Sequence, residues 1–531
     1  MGLFRSMSDL LSRSRRPAGP AGSFGMPAIV FLTGAGVLVI EVAAVRILAP
    51  YYGNTIYTVS SVLSVVLAAL SFGYYFGGRL ADRYPTEKVF YGMILLSGVS
   101  TLVLQLLNQW LLPVIQRGFS TASGPLAASV VLFFLPNLFL GTLSPYAIKL
   151  QEKRLAGQGI GSISGAIYFW STVGGIFGSL SAGFVLIPRF GISRIILAVA
   201  AVLTLLGSVP LARSALRRKY FAPMVIAIIV YFVSAAAVTS LAVGPNLYER
   251  DGVYQKITIS DGEYRGRPAR FLKQDRTASA AMFLDSDELV YDYTKYYSLY
   301  RLFKPDLRRA LFIGGGAYSM PKALLAEQPA AEIEVSEIEP SLFELGRKYF
   351  RVPDDPRLTN LVGDGRRLLL DSGRKYDLIF SDVYASPYYI PLHFVTREFF
   401  QIARERLTDG GIFAANIVGN LSLQPPSLVR SEMKTFREAF PNSYFFAVRS
   451  PAWPKMQNVI FLGCNSDQRP DLGAFAAGHS GDEILGSLDR KLIDADSFDL
   501  AAVPVLTDDF SPVEYLTAET LRRENAAPAE E

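Results

Sequence analysis

Long apolar stretches dominate the chain before about Gly244, whereas shorter ones separated by polar segments follow it. Each long stretch approaches the ~20 residues that a bilayer-spanning helix needs. They are Met26–Leu48, Thr55–Gly77, Val89–Leu112, Leu126–Ile148, Ile163–Ile187, Ile192–Leu211 and Phe221–Val243. The pattern predicts a disordered basic lead over residues 1–25 and a multi-pass α-helical membrane domain of about seven helices over residues 26–244.

The pattern after Leu247 predicts a different kind of structure. Tyr254–Ser260 and Ala269–Gln274 read as two strands of a small β-hairpin element, with Asp261-Gly262 between them. Tyr291–Phe303 is typical of a connecting helix. We therefore expect a hairpin-and-helix element over residues 245–300.

Four apolar runs then follow, each with a glycine or a carboxylate at or near its end. Ala310–Ile313 stops at Gly314, a second run has Glu337 near its end, a third stops at Gly363, and Tyr376–Ser381 stops at Asp382. Alternation of such runs with helical segments predicts βαβ units. The fold expected over residues 301–516 is an α/β Rossmann-like domain, followed by a disordered tail over 517–531.

Composition narrows the functional classes. The chain is 50% hydrophobic, its mean hydropathy is +0.27 and its formal net charge is +5. Lys and Arg concentrate in the lead and in short loops, which indicates membrane orientation and not nucleic-acid binding. With Cys464 as the only cysteine and His393 and His479 as the only histidines, neither a disulfide nor a zinc site is expected.

The loop charges lead to a conflict about sidedness. Basic clusters lie in the lead, in Arg79–Lys88, in Lys149–Arg154 and in Arg213–Lys219, which predicts a cytoplasmic N-terminus. With seven spans the C-terminal domain would then lie outside. A domain that uses a nucleoside is expected in the cytoplasm of an inner-membrane protein, so either a span is miscounted or the domain is external.

Two membrane features go beyond anchoring. Glu41 lies inside the first span with Arg46 about one turn on, which predicts a buried ion pair or a wet cavity. Gly73–Arg83 resembles the loop between the second and third helices of major-facilitator transporters, where glycines let helices approach closely.

The strand ends suggest a nucleoside site. Gly314, Gly315 and Gly316 allow the backbone to pass close to a ligand, and Glu337, about 21 residues further on, is placed to bind ribose hydroxyls. The Gly363-Asp364 pair would contact the adenine. The pyrophosphate fingerprint G-x-G-x-x-G is not met, so a nucleoside without a diphosphate fits better than a dinucleotide. Purely structural turns are the alternative.

These motifs resemble the spermidine synthase (polyamine aminopropyltransferase) family. They are Ile313–Gly316, Val335–Glu339, Gly363–Gly365, Tyr376–Asp382 and the Tyr254-Gln255 pair, and the segment Thr507–Glu514 fits the bacterial membrane-fused members. The resemblance implies a transferase that moves an aminopropyl group from decarboxylated S-adenosylmethionine to an amine. It implies that Gln255, Gly314–Gly316, Glu337, Gly363 and Asp364 bind the donor and that Asp382 is the catalytic carboxylate.

Two positions depart from the family pattern. Ala317 and Ala385 stand where the family has aspartates that bind cationic amines. Two alternatives therefore remain open. One is an S-adenosylmethionine-dependent methyltransferase acting on a membrane-associated acceptor, and the other is a transporter with a non-catalytic nucleoside-binding domain.

Tyr384 and Asp508 are further candidates for the acceptor side, with aromatic packing and a solvated turn as their respective alternatives. His393 is expected to be structural. The expected partners are a small-molecule nucleoside donor, an amine acceptor and the lipid bilayer. A homodimer is one alternative for the assembly.

Overall fold

The computed structural model describes residues 25–120, 122–155, 157–215, 246–384 and 390–526. Residues 25–215 form a bundle of helices, here called the helical domain. Residues 246–526 form two β-sheets with flanking helices, here called the α/β domain. The predicted lead, the predicted seventh span over 221–243, Ala385 and the end of the tail lie outside the described residues.

Six long apolar helices make up the helical domain. They are α1 (Met26–Tyr52), α2 (Ile56–Arg83), α3 (Glu87–Gly118), α4 (Gly124–Arg154), α5 (Ile160–Ser181) and α6 (Ile192–Ala215). A π-helical segment (Ala182–Leu186) and a short α-helical turn (Ile187–Phe190) continue α5. Among the described residues, six helices are long and apolar enough to cross a membrane.

A four-stranded antiparallel sheet opens the α/β domain. Its strands follow chain order: β1 (Tyr248–Asp251), β2 (Lys256–Tyr264), β3 (Arg267–Gln274) and β4 (Thr277–Phe283). The turn between β2 and β3 lies at Arg265-Gly266, where both residues have positive φ. The turn predicted at Asp261-Gly262 is therefore wrong, because Asp261 lies within β2 and pairs with Arg270 of β3 through an ion pair.

The second sheet has seven strands in the order β10–β11–β9–β8–β5–β6–β7. The strands β5 to β9 are parallel. Strand β11 pairs antiparallel with β9, and β10 pairs antiparallel with β11. They are β5 (Arg309–Ile313), β6 (Glu332–Glu337), β7 (Leu358–Val362), β8 (Tyr376–Ser381), β9 (Leu407–Gly419), β10 (Ser443–Ala447) and β11 (Gln457–Cys464).

Helices cover this sheet. They are α7 (Ser319–Glu327), α8 (Leu342–Tyr349), α9 (Gly365–Asp371), α10 (Arg397–Glu405), α11 (Leu428–Ala439), α12 (Leu472–Gly478), α13 (Leu488–Lys491) and α14 (Val513–Ala526). The predicted connecting helix is a 3₁₀ helix, Asp292–Leu302, and further 3₁₀ turns are Leu392–Phe394, Leu485–Ser487 and Ala495–Ser497.

Both faces of the sheet are buried, which explains the continuous apolar runs in its strands. Within β5, Ala310 and Phe312 belong to one core, and Leu311 and Ile313 belong to the core on the opposite face. The inner strands therefore have no solvated face, and the few polar residues within them, such as Glu334 and Asn416, are buried. The predicted fold class, an apolar helical region followed by a Rossmann-like α/β domain, is confirmed.

The C-terminal segment is ordered further than the sequence predicted. Disorder was expected from residue 517, but α14 continues to Ala526. Its residues Val513 and Leu516 are almost fully buried in the core beside the sheet. The Ala- and Glu-rich composition that suggested disorder also favours a helix once an apolar face is buried.

Contacts join the two domains. Arg46 of α1 donates hydrogen bonds to the carbonyl oxygens of Tyr254 and, at 3.1 Å, of Gly252. Arg46 thus contacts the α/β domain, and the predicted ion pair with Glu41 is not formed. Two helix N-termini are capped by carboxylates of the α/β domain: Glu514 accepts from the N–H of Ile56 at 3.2 Å, and Asp251 accepts from that of Ile192 at 3.1 Å.

The packing of α2 on α4 generates a test with a matched control. A Cβ added to Gly77 would lie 2.6 Å from Thr142 Cα of α4, whereas nothing lies within 4 Å of one added to Gly78. We expect Gly77→Ala to destabilise the protein by about 1–3 kcal/mol through overpacking. Gly78→Ala should be neutral or slightly stabilising. Thermal unfolding of the full-length protein in detergent measures both, and equal midpoints would contradict the close approach of the two helices.

Candidate functional site

The candidate site lies where the strand order of the large sheet reverses. From β5 the chain proceeds to β6 and β7 on one side, and β8 and β9 follow on the other side. The carboxyl ends of β5 and β8 are therefore neighbours, with Gly314 after one and Asp382 after the other. In open α/β sheets ligands bind in the crevice at this position.

The glycine turn after β5 is shaped by a close approach to β8. Gly314 has φ +92°, and a Cβ on it would overlap the carbonyl oxygen of Asp382. The N–H of Asp382 in turn donates to the carbonyl oxygen of Ile313 at 2.8 Å. Glycine is therefore required at 314 for conformation and for space, and the turn and Asp382 are held as one unit.

Glu337, at the end of β6, is bonded to the same turn. One carboxylate oxygen accepts from the N–H groups of Gly315 at 2.7 Å and Gly316 at 3.3 Å, and the other accepts from the N–H of Glu339 at 2.8 Å. Burial raises the pKa of Glu337, and these hydrogen bonds oppose the rise. The carboxylate therefore supports the turn as well as facing the crevice.

Asp364 follows β7 and Gly363 and is the N-cap of α9. Its side chain accepts from the N–H of Arg367 at 2.8 Å, and His393 Nε2 lies 2.9 Å from its other oxygen. Burial raises the pKa of Asp364, but the hydrogen bonds from His393 and from the Arg367 N–H outweigh it, so that the pKa lies below its usual value. Asp364 is therefore an ionised acceptor at the rim of the crevice.

Asp382 has a donor on each carboxylate oxygen. Tyr293 Oη donates to one at 3.1 Å, and Asn416 Nδ2 of β9 donates to the other at 2.9 Å. Asn458 Nδ2 donates to Asn416 Oδ1 at 2.9 Å, which orients the Asn416 amide towards Asp382. Burial raises the pKa of Asp382, and the Asn416 and Tyr293 hydrogen bonds oppose the rise. The arrangement holds a buried carboxylate whose pKa lies above its ordinary value and which can therefore accept a proton more readily than an exposed aspartate.

A cavity of about 920 Å³ connects these groups. Its lining includes the predicted donor-side residues Gln255, Gly314, Gly315, Gly316, Glu337, Gly363 and Asp364, together with Asp382 and Tyr384. Gln255 Oε1 accepts from Gln274 Nε2 at 2.8 Å, and Tyr384 Oη accepts from the N–H of Val418 at 2.9 Å. The volume lies within the usual range for a small-molecule site.

Asp508 lies elsewhere. The Arg366 guanidinium bonds both of its carboxylate oxygens, and Thr396 Oγ1 donates to it at 2.8 Å. The Arg366 pairing lowers the pKa of Asp508. Asp508 is not among the residues that line the cavity, so the structure departs from the predicted acceptor-side position.

Several lining residues were missed from the sequence. Tyr293 and Asn416 contact Asp382, and Arg46 and Asn54 of the helical domain also line the cavity. His393, expected to be structural, bonds Asp364. Tyr293 lies in an irregular 3₁₀ helix and Asn416 within a buried strand. For Asn416 the single polar residue inside an apolar run was an available signal.

Known proteins resemble this chain in the same region. Residues 298–470 match the family described as "Spermine/spermidine synthase domain". A polyamine aminopropyltransferase from Vibrio vulnificus is 25% identical over 279 residues, which cover 51% of this chain and 91% of that protein. One from Corynebacterium efficiens is 26% identical over 417 residues, which cover 72% and 75%. A solved structure, a probable spermidine synthase from Corynebacterium glutamicum, has TM-score 0.42 and 21% identity, and covers 50% of this chain and 97% of its own.

The α/β domain is a spermidine synthase-like domain. The resemblance to the spermidine synthase family that the sequence motifs indicated is confirmed, and so is the relationship to a class of transferases. The alignment with the Corynebacterium efficiens protein is longer than residues 246–526 taken together, so that similarity extends into the helical domain.

The position of Glu337 generates a test of donor binding. We expect Glu337→Ala to weaken binding of 5′-methylthioadenosine by about 10-fold or more, because a hydrogen-bonding charge is lost and the glycine turn is loosened. Glu337→Gln retains an oxygen acceptor for the turn and should lose less. Glu332→Ala, exposed at the other end of the same strand, is the control. Calorimetry on the full-length protein measures the affinities, and an unchanged value in Glu337→Ala would remove Glu337 from the donor site.

Proposed function

We propose that this chain is a membrane-anchored transferase that moves an aminopropyl group from decarboxylated S-adenosylmethionine to an amine acceptor. The observation that carries the proposal is the position of Asp382. It is a carboxylate with a raised pKa beside a glycine turn, in a cavity of about 920 Å³. The relationship to polyamine aminopropyltransferases supports the same reaction.

The donor-side residues have the chemistry that a sulfonium nucleoside requires. Glu337 would bind the ribose hydroxyls, Asp364 would accept from the adenine amino group, and Gln255 would bind the donor from the small sheet. The glycine turn allows the backbone to approach the nucleoside closely. The ionised state of Asp364 favours its role as an acceptor.

Asp382 would then act on the acceptor. The amine nitrogen attacks the methylene carbon bonded to sulfur, the carbon–sulfur bond breaks, and the bonding electrons return to sulfur, which leaves as the neutral thioether 5′-methylthioadenosine. The nitrogen becomes positively charged and loses a proton, which Asp382 accepts. Holding amine and carbon in line supplies the remainder of the acceleration. Tyr293 and Asn416 hold the carboxylate in one orientation.

The helical domain would anchor the enzyme in the bilayer. Its six long helices have mean hydropathies between 1.4 and 2.4 over their most apolar windows. Many large apolar side chains remain exposed on them, including Leu67, Phe76 and Phe184. Surfaces of this kind are stable in contact with lipid hydrocarbon.

Methyl transfer from S-adenosylmethionine is the second candidate, and one position favours it. Ala317, buried beside the glycine turn, lines the cavity where the family has an amine-binding aspartate. The by-product separates the two reactions, because aminopropyl transfer releases 5′-methylthioadenosine and methyl transfer releases S-adenosylhomocysteine.

The proposal is tested by removing the carboxylate charge. Asp382→Asn should lower kcat about 10²–10⁴-fold with donor affinity unchanged, because the amide keeps the shape but accepts no proton. Release of 5′-methylthioadenosine from decarboxylated S-adenosylmethionine and putrescine, by the full-length protein in detergent, measures turnover. Asp354→Asn, whose side chain is 87% exposed, is the control. Undiminished turnover in Asp382→Asn would refute this mechanism.

The hydrogen bond from Tyr293 generates a pH test. This bond lowers the pKa of Asp382 against the rise caused by burial, so Tyr293→Phe should raise that pKa further. A base with a higher pKa stays protonated up to a higher pH, so the acid limb of the pH profile of kcat/KM should shift to higher pH. Tyr300→Phe is the control. Tyr300 lies in the same 3₁₀ helix as Tyr293, but its hydroxyl donates to Glu327 and not to Asp382. A downward shift, or equal profiles for both variants, would contradict the assignment of Asp382 as the base.

A further inference from the structure

The two ends of the helical domain differ in charge and in contacts. At one end, Lys149 lies 3.3 Å from Asp82, and Arg154 pairs with Glu87. The loop between α2 and α3 therefore lies beside the end of α4. Within these segments the basic residues are Arg79, Arg83, Lys88, Lys149, Lys153 and Arg154. We call this the basic end.

The opposite end carries the α/β domain. Gln116 Nε2 donates to the carbonyl oxygen of Tyr51 at 3.1 Å, which brings the end of α3 to the end of α1. Arg276 of the α/β domain lies over the Tyr51 ring at 4.6 Å. The capped N-termini at Ile56 and Ile192 lie here too. We call this the docked end, comprising residues 51–56, 117–124 and 189–194.

Few basic residues belong to the docked end. Its connections contain Arg117, Arg189 and Arg194, and residues 51–56 contain none. Arg46, slightly deeper in α1, is bonded to backbone carbonyls of the α/β domain. The sequence adds to the contrast. Arg5, Arg13, Arg15 and Arg16 precede α1, which begins at the basic end, and Arg213, Arg217, Arg218 and Lys219 lie at or beyond the end of α6.

The direction of α6 agrees with this assignment. It begins at Ile192, at the docked end, and its later residue Gly207 packs on Tyr91 and Leu95 near the start of α3. The start of α3 is at the basic end. Helix α6 therefore runs from the docked end towards the basic end, where the next basic cluster of the sequence follows.

We propose that the α/β domain, with its cavity, lies on the extracytoplasmic side of the membrane. Lys and Arg near the ends of spans are retained on the cytoplasmic side, which assigns the basic end to the cytoplasm. The α/β domain is attached to the other end by four hydrogen bonds and a cation–π contact, through Arg46, Glu514, Asp251 and Arg276. The proposal rests on the membrane anchoring set out under the proposed function.

The proposal resolves the conflict present in the sequence. If the stretch 221–243 is a seventh span, as its apolar composition predicts, a cytoplasmic N-terminus places the C-terminal domain outside, and the docked end provides the matching contacts. A cytoplasmic α/β domain would require every basic cluster to be translocated. The cavity, lined in part by Arg46 and Asn54, then opens at the outer surface of the bilayer.

The position also sets a requirement on the reaction sequence. A sulfonium nucleoside carries a fixed positive charge and does not cross hydrocarbon unaided. A nucleoside made in the cytoplasm must therefore be supplied to this site by a transport reaction. The acceptor amine would be drawn from the outer compartment or from the membrane surface.

Cysteine labelling tests the proposal directly. Cys464 is the only cysteine and is buried, so Cys464→Ala in the full-length chain is a suitable background. Thr359→Cys lies on the exposed edge strand β7, and Thr86→Cys lies exposed at the basic end. A membrane-impermeant maleimide is applied to bacterial spheroplasts that express each variant, before and after permeabilisation. After permeabilisation the maleimide must label both variants, which shows that both cysteines are reactive.

We expect Thr359→Cys to be labelled fully in intact spheroplasts and Thr86→Cys only after permeabilisation. The reverse result, or equal labelling of the two before permeabilisation, would overturn the proposal. Labelling does not depend on turnover. Absent transferase activity with the expected labelling would therefore refute the proposed function alone, and reversed labelling with intact activity would refute the sidedness alone.

Discussion

The backbone of Asp382 occupies the space that a side chain on residue 314 would need. This contact between the ends of β5 and β8 determines the site. The glycine turn can bend only because Gly314 has a positive φ and no Cβ. The N–H of Asp382 is bonded back to Ile313, so the carboxylate stands at a defined distance from the turn. The remaining features of the cavity are arranged around this pair.

Three carboxylates at the same sheet edge differ because their surroundings differ. Backbone N–H groups surround Glu337, a histidine contacts Asp364, and a phenol with an amide contacts Asp382. Burial acts on all three, but in Asp364 the hydrogen bonds outweigh it. Distinct proton affinities of neighbouring acids are the physical basis for the distinct roles proposed for them, a hydrogen-bond acceptor for the nucleoside and an acceptor for a proton.

The helical domain contributes residues to the cavity. Its α1 and the loop after it supply Arg46 and Asn54 to the cavity wall, and Arg46 bonds the loop that carries Gln255. The segment Thr507–Glu514, which stood out in the sequence, ends in the carboxylate that caps α2. Docking and cavity formation thus involve the same surface. The arrangement of the helices therefore contributes to the shape of the cavity.

The sequence by itself determined the long helices, the strands that end at the site and their order along the chain. Of the small sheet it indicated β2 and β3 but not β1 or β4. Apolar runs ending at Gly314, Gly363 and Asp382 could be recognised because parallel strands inside a sheet are buried on both faces and are followed by turns of glycine and polar residues. Apolar length alone determined the long helices. These are local properties, and so the strand-end residues Glu337 and Asp364 were predicted as well.

Tertiary structure alone decided which distant residues meet. Tyr293, Asn416 and Asp382 are brought together by the strand order and by a 3₁₀ helix, and no spacing along the chain encodes those contacts. Arg46 donates to the α/β domain and does not pair with Glu41, because the carbonyl groups of Gly252 and Tyr254 lie within its reach. Asp508 pairs with Arg366, and α14 is ordered by burial of Val513 and Leu516. Each outcome depends on long-range packing and burial, which follow only once the whole chain has folded.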